Sequence, residues 1–431
     1  MRGRDRTIAP CLALFVCGCA AERAEPVDPL EGPSDPVEAA RAFVADARVR
    51  RAALEASVAV ADTPYARARL DHYSLSGTSS ASARPSPRPS PDSGRGSLVP
   101  SSSDPIADWD LAPVLEPTVR PLRVSRHEVE EAGPVATLAP DADLAAFVAA
   151  GRDAFERYPV HIDPRFAVLR EGREVVDRHG LDVREDGTVR GAVEVLVPDG
   201  RWLVALTCAA CHGATTANGD YVPGLTNDRL ALSELLGDPR WAPGTMDVTG
   251  DAIENPVRPP DLRPIRFQER LHHSGNLANG RIARMVRIDT LLAERLAFEA
   301  RPDRSIVAAI SLYLDSLADT SPASPLSSDA EAVFARSCAS CHRGDSRSGP
   351  VVDVARVGTD PLATSGARAT GGYRAPSLVG VADRGALLHD GSARGLRGLL
   401  GLEPSEHRGH PFGTELDVAD RELLARALGP R

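Results

Sequence analysis

Two five-residue segments of this 431-residue chain combine the same reactive side chains in the same order. Residues 208–212 read CAACH and residues 338–342 read CASCH, so each holds two cysteines two residues apart and a histidine directly after the second. Two thiols about one helical turn apart can add to the two vinyl groups of one porphyrin, while the adjacent imidazole reaches the iron. The pattern is typical of covalent haem attachment, and we expect two covalently bound haems c.

Each segment therefore contributes three predicted cofactor-binding residues. They are Cys208, Cys211 and His212 in the first segment, and Cys338, Cys341 and His342 in the second. His212 and His342 are the predicted iron ligands.

The two other chemistries of a CxxC pair fit this chain less well. A zinc ribbon pairs its two CxxC units across roughly 15–20 residues, and these two units lie much further apart. A dithiol redox pair belongs in a βαβ setting, which the sequence around neither segment predicts. The other three of the seven cysteines lie within the first 19 residues, so the body of the protein has no further cysteine for a disulfide.

The N-terminus predicts export. Residues 1–6 are basic and residues 8–16 form an apolar run too short to span a bilayer. The sequence VCGCA at 16–20 resembles a bacterial lipoprotein cleavage site, which implies cleavage before Cys19 and a lipid on its sulfur. A plain secretory signal is the alternative. We expect a lipid-anchored protein on the periplasmic side of a bacterial membrane, with the outer membrane favoured.

The net charge of −10 argues against nucleic acid as a partner. Composition shifts along the chain predict five segments. These are a lipoprotein-type signal peptide (1–18), an N-terminal helical segment (19–73), a Ser/Pro-rich disordered linker (74–106), a first haem c domain (107–320) and a second haem c domain (321–431).

The elements around the two segments follow from apolar spacing and capping residues. Helices are predicted over 141–158, opened by Asp141 or Asp143, and over 329–338, which leads directly into the second segment. Closing helices are predicted over 303–317 and 417–428. Turn signals at 186–187 and 199–200 between Val-rich runs predict a small β-hairpin before Cys208.

An internal repeat follows the two cysteine segments. Residues 258–275 align without gaps on residues 374–391. The matching positions are Arg258/Arg374, Pro260/Pro376, Leu262/Leu378, Leu271/Leu387, His273/His389 and Gly275/Gly391. Because each copy follows its own CxxCH, the chain is predicted to contain two related haem units.

Residues 373–392, YRAPSLVGVADRGALLHDGS, resemble the C-terminal domain of bacterial di-haem cytochromes. That superfamily includes di-haem cytochrome c peroxidases and haem-dependent rubber oxygenases. The resemblance implies a mainly α fold, with two cytochrome-c-like haem domains and a small β-hairpin insertion in the first. It implies electron transfer through haem, and leaves open whether the protein is a carrier or an enzyme.

The sixth iron ligand decides what each haem can do. No methionine follows the second segment, so His/Met ligation is excluded there. Residues 410–416, HPFGTEL, are similar to the Met-Pro ligand loop of small cytochromes c, with His in place of Met. His410 is therefore the predicted axial ligand of the second haem, and His389 and His407 are the alternatives.

The first haem has no ligand at the matching place, where Ala293 and Glu294 stand. No histidine occurs between His212 and His272, so this iron is the better candidate for a five-coordinate, reactive site. Several other side chains stay open as participants. They are His272, His273, Met246 and Met285 as ligands, Trp202 or Trp241 as a relay between the haems, and Glu294 or Glu299 as a distal acid or base.

Two functions follow from these expectations. The first is an exported di-haem electron-transfer protein, in which the second haem handles electrons for a redox partner protein or a small oxidant. The second is a di-haem peroxidase or dioxygenase that acts on peroxide or dioxygen at the first haem.

Overall fold

The computed structural model describes residues 28–72, 113–124, 132–216, 218–247, 249, 251, 253–295, 300–318, 325–361 and 365–429. The predicted signal peptide, the predicted lipidation site Cys19 and the Ser/Pro-rich segment 74–106 lie outside these residues. Within them, no helix is both long enough and apolar enough to cross a membrane.

Helices form most of the framework in the described part of the chain. They are α1 (Pro36–Ala45), α2 (Ala47–Val58), α3 (Pro64–His72), α4 (Leu144–Arg157), α5 (Arg173–Arg178), α6 (Cys208–Cys211), α7 (Leu232–Leu235), α8 (Arg281–Arg295), α9 (Arg304–Leu317), α10 (Ser328–Ser337), α11 (Val354–Val357), α12 (Gly395–Leu399) and α13 (Val418–Leu428). The side chains of Asp143, Asp303 and Asp417 each accept a backbone N–H at the start of a predicted helix.

Except for three longer ones, the strands in the described residues have two or three residues each. They are β1 (Val114–Leu115), β2 (Thr118–Arg123), β3 (Gly133–Pro134), β4 (His161–Ile162), β5 (Thr188–Leu196), β6 (Trp202–Leu206), β7 (Gly213–Thr215), β8 (Tyr221–Pro223), β9 (Arg270–Leu271), β10 (Leu277–Ala278), β11 (Arg301–Pro302), β12 (Val351–Asp353), β13 (Gly372–Arg374), β14 (Ala386–Leu387) and β15 (Ala393–Arg394).

The prediction of a mainly α fold made of two cytochrome-c-like domains with a small hairpin insertion is wrong. The structure is 40% helix and 16% strand, and it contains a five-stranded antiparallel sheet in the order β3-β2-β5-β6-β4. The hairpin β5–β6 lies inside that sheet. The flanking strands could not be predicted from alternating apolar residues, because β3 and β4 have only two residues each. In β2, Pro121 interrupts the pattern beside a register shift.

The first CxxCH segment sits between this sheet and a helix pair. Thr207 follows β6 directly and precedes α6, which holds Cys208 to Cys211. On the other side α4 crosses α9, and N-terminal helices α1 and α2 pack against α8 and α9. The second segment follows α10, which packs against the closing helix α13. The first segment is thus positioned by a strand of the sheet, and the second by a helix that packs on a later one.

The crossing of α4 and α9 depends on a missing side chain. A Cβ at Gly151 would collide with the backbone carbonyl of Ala309 and lie 2.7 Å from Cβ of Tyr313. The close approach of the two backbones therefore requires glycine.

Replacing Gly151 with alanine is expected to lower the free energy of unfolding by about 3 kcal/mol, because a backbone carbonyl cannot move aside as a flexible side chain can. The measurement is urea unfolding followed by circular dichroism. Gly133→Ala is the control, since an added Cβ there meets no atom within 4 Å. Equal unfolding midpoints for the two variants would contradict the close approach.

The internal repeat is visible as structure. The hairpin β9–β10 pairs Leu271 with Leu277, and β14–β15 pairs Leu387 with Ala393 at the equivalent positions. A short 3-10 helix precedes each hairpin, at Ile265–Phe267 and at Val381–Asp383. The backbone is left-handed at the same place in both turns, with φ of +62° at His272 and +70° at Leu388.

The two copies also contact each other reciprocally. The Arg258 N–H donates to the His389 carbonyl at 2.7 Å, and the Arg374 N–H donates to the His273 carbonyl at 2.8 Å. In each case an arginine that opens one copy pairs with the histidine in the turn of the other copy.

Candidate functional site

The histidines of the two CxxCH segments are held in the same way. Nδ1 of His212 lies 3.0 Å from the carbonyl of Pro260. Nδ1 of His342 lies 3.1 Å from the carbonyl of Pro376 and 3.0 Å from that of Arg347. A carbonyl only accepts, so Nδ1 donates and carries the proton, which leaves the lone pair on Nε2. Pro260 and Pro376 are equivalent positions of the repeat, and the sequence assigned no role to either.

Burial keeps these histidines neutral. It lowers the pKa of His212 to about 4 and the pKa of His342 below its ordinary value. A neutral imidazole with a free Nε2 is the form that binds a metal. Both histidines are thus held in the same tautomer, with Nε2 unprotonated.

The cysteines of both segments are free thiols. Burial raises the pKa to about 12 for Cys208 and to about 11 for both Cys211 and Cys338. Among the described residues, no group of three or more His, Cys, Asp or Glu side chains is placed to hold a metal ion by itself.

A large cleft opens beside the second segment. It encloses about 1600 Å³, part of which is open solvent, and is lined by Cys338, Cys341 and His342. Apolar side chains from α10, α12 and α13 form much of the remaining wall, namely Phe334, Leu396, Leu399, Leu424 and Leu428. The volume and apolar lining suit a large flat apolar ligand.

Two imidazoles face each other in this cleft. The ring centres of His342 and His410 are 6.5 Å apart, with an angle of 51° between the ring planes. With a metal–nitrogen bond of about 2 Å on each side, two imidazoles that share one metal ion have ring centres about 6 Å apart. The pair therefore fits an iron bound between the rings.

His410 is held by its backbone rather than by its ring. Its N–H donates to the Val357 carbonyl at 2.6 Å, and its φ is +54°, a strained value for a residue other than glycine. Phe412 packs edge-on against the ring at 5.5 Å. Nδ1 of His410 is buried without a hydrogen-bond partner in the described part of the chain. Strain of this kind is concentrated at functional sites.

The two alternative ligands of the second haem have other neighbours. His389 lines the same cleft, but it is buried with its ring 5.0 Å from the Tyr373 ring, and Nδ1 lies 3.4 Å from Oγ1 of Thr359. Nδ1 of His407 contacts Oγ of Ser405 at 2.9 Å, and His407 is not among the residues that line the cleft. All three histidines stay predictions, and the geometry favours His410.

The first segment has a different environment. Cys208 packs against the main core, which includes the fully buried Met285, whereas Cys211 packs against a smaller cluster that includes Met246. Among the described residues, no imidazole faces His212 as His410 faces His342. Each methionine thus belongs to the same apolar cluster as one cysteine of the segment, and the sixth ligand stays open.

The other histidines predicted for the first haem already have polar partners. His272 uses both nitrogens, since Nδ1 lies 2.8 Å from Oδ1 of Asn276 and Nε2 accepts from Nε of Arg287 at 3.2 Å. Nε2 of His273 lies 2.8 Å from the Arg258 carbonyl. Either would have to give up a hydrogen bond to reach iron.

The remaining candidates lie apart from the cleft. Trp202 stacks under the guanidinium of Arg120 at 4.2 Å, and the Trp241 indole donates to Glu254 at 2.9 Å. Glu294 is in a salt bridge with Arg69 at 3.1 Å. Glu299 lies outside the described residues. None of the first three lines the cleft beside His342.

No protein-family model matches the chain, and no curated protein is significantly similar to it.

Proposed function

We propose that this protein is an exported electron-transfer protein that carries two covalently bound haems c, one at each CxxCH segment. The proposal rests on one observation. Both histidines of the two segments direct Nδ1–H at the carbonyl of the equivalent proline in two copies of one repeat, with the Arg347 carbonyl as a second acceptor at His342, and so present Nε2 in the same way. A dithiol redox pair gives no reason for an oriented imidazole beside it.

Covalent attachment of the porphyrin to the cysteines requires no other reactant. Each cysteine S–H adds across one vinyl C=C of the porphyrin, with sulfur bonded to one carbon and the proton to the other. Bound haem supplies one-electron redox chemistry at iron. The chain supplies the two thiols, a neutral imidazole oriented by a proline carbonyl, and, at the second site, the apolar wall of the cleft.

At the second site the residues favour a six-coordinate iron between His342 and His410. Two imidazoles leave no position for a substrate, so this site suits electron transfer to a redox partner protein or a small oxidant. Signal cleavage before Cys19 with lipid attachment would hold the protein at the periplasmic side of a bacterial membrane.

The test is the haem content of the protein expressed with a haem c maturation system. Two haems per chain that survive denaturing electrophoresis, and a mass increase of two haems, support the proposal. Haem that is lost on denaturation, or no haem, would contradict it. A zinc-loaded colourless protein would assign the segments to metal clips instead.

A second function is favoured by the difference between the two sites. His342 has an imidazole opposite it, and His212 has none among the described residues. The first iron is thereby the candidate for a peroxidase or dioxygenase that binds peroxide or dioxygen. A change in the optical spectrum of one haem on adding cyanide supports this function, and two unchanged low-spin haems would exclude it.

A further inference from the structure

A cluster of arginines lies beside α8, away from the CxxCH cleft. Arg287 comes from α8, Arg69 comes from α3, and Arg368 ends the short helix Gly366–Arg368. The ring of Tyr65 lies between two of them, with its centre 5.4 Å from the guanidinium carbon of Arg69 and 4.8 Å from that of Arg368. The carboxylate among them, Glu294, pairs with Arg69.

Three donors in this cluster have no acceptor in the described part of the chain. They are Nη1 of Arg287, Nε of Arg368 and Nδ2 of Asn276, all buried. Asn276 is fully buried at 0% exposure. A buried donor without an acceptor costs about 1–3 kcal/mol, and more for a charged group. Native proteins rarely leave such groups unpaired, so the cluster lacks an acceptor.

Two of the three donors are fixed by one imidazole. Nδ1 of His272 donates to Oδ1 of Asn276, and Nε2 of the same ring accepts from Nε of Arg287. His272 is neutral in this arrangement, because burial and the neighbouring arginines lower its pKa well below its ordinary value. The imidazole thus orients the Asn276 amide and the Arg287 guanidinium without adding charge.

We propose that Arg287, Arg368 and Asn276 form a binding site for an oxyanion, a carboxylate or a phosphate. An oxyanion supplies several acceptors to guanidinium groups, whose planar N–H donors match carboxylate and phosphate geometry. It also supplies the negative charge that balances Arg287 and Arg368, since Glu294 is engaged with Arg69.

Two sources of an oxyanion fit the position, and the first rests on the proposed function. Arg287 and Arg295 lie on α8 about 12 Å apart along its axis, and the charge of Arg295 lowers the pKa of the Cys211 thiol against the larger effect of burial. A porphyrin bound to Cys211 at its vinyl edge carries two propionates on its opposite edge. Arg287 on α8 is placed to bind one of these propionates. The second source is a free phosphate or small carboxylate.

The experiment compares the full-length protein with Arg287→Gln, Arg368→Gln and the double variant. Arg240→Gln is the matched control, since this arginine also stacks on a ring, that of Trp241 at 5.3 Å, outside the cluster. Thermal unfolding is followed while inorganic phosphate or succinate is raised at constant ionic strength. Reduction potentials of bound haem are measured on the same preparations.

If a free oxyanion occupies the site, the midpoint temperature of unfolding rises with phosphate or succinate in the wild type. In the double variant this rise is lost. If a haem propionate occupies the site, the midpoint temperature of unfolding does not change with the added anions. The reduction potential of one haem then falls in the double variant, because a positive charge that favours the reduced iron has been removed. Either result supports the site when the control variant is unchanged.

The proposed site is contradicted if the double variant changes neither the effect of added anions on the unfolding midpoint nor the reduction potential of a haem. Should the double variant fail to fold, the two single variants and Arg368→Lys carry the same comparison, with lysine expected to keep part of the effect. A preparation without haem would overturn the proposed function, and the phosphate arm would still decide the oxyanion site.

Discussion

Replacing His410 with alanine is expected to convert one of the two haems from low-spin to high-spin and to leave the other unchanged. The reason is that the ring of His410 lies opposite that of His342, with 6.5 Å between the ring centres. Electron-paramagnetic and optical spectra of the ferric protein measure the change. The low-spin signal of the second haem should be lost.

Three further variants make this result specific. His410→Gly suits the φ of +54° better than alanine, so it separates loss of the ligand from strain in the loop. His407→Ala, three positions earlier in the same loop, should leave both spectra unchanged. His410→Met should stay low-spin with a higher reduction potential, because a thioether ligand favours the reduced iron.

An unchanged low-spin count in His410→Ala would rule out this ligand. His389, which lines the same cleft, would then be the next residue to replace.

Replacing Cys338 and Cys341 together with serine is expected to lower the covalently bound haem from two per chain to one. Each thiol forms one thioether, and no other cysteine occurs after residue 341 to take its place. Haem staining after denaturing electrophoresis and the intact mass measure the loss. The same exchange at Cys208 and Cys211 should remove the other haem.

The second-site double variant should also unfold at lower temperature than wild type, since the cleft of about 1600 Å³ between α10, α12 and α13 loses the ligand that fills it. Ser340→Ala, inside the same CxxCH segment, is the control and should keep two haems. Two covalently bound haems in the cysteine variant would show that attachment occurs elsewhere.

Local signals in the sequence predicted the helices well. The N-caps Asp143, Asp303 and Asp417 lie where capping residues precede amphipathic runs, and the three helices begin within one residue of each. The N-terminal region was harder, because the apolar spacing over residues 37–70 predicts one or two helices and three form. Asp46 ends α1 and caps α2, which breaks an otherwise continuous helical pattern.

The sheet could not be predicted from pattern alone. Two-residue strands such as β3 and β4 carry no periodicity, and their pairing is decided by contacts between segments distant in sequence. The error in fold class follows from this, since the hairpin signals at β5 and β6 indicated a small insertion instead of the centre of a sheet.

Sequence reasoning located the candidate site only in part. It identified the six CxxCH residues and His410 from residue type and spacing. It gave no role to the carbonyls of Pro260 and Pro376, since backbone groups leave no trace in residue type. It also missed the arginine cluster, whose members Arg69, Arg287 and Arg368 come from three distant parts of the chain.

The reciprocal pairing of Arg258 with His389 and of Arg374 with His273 is the pattern of an isologous interface, in which each of two like surfaces offers the other the same groups. Here both surfaces belong to one polypeptide. A pair of separate subunits joined this way would part on dilution, whereas this pair is permanent. The separation between the two histidine sites is therefore independent of protein concentration.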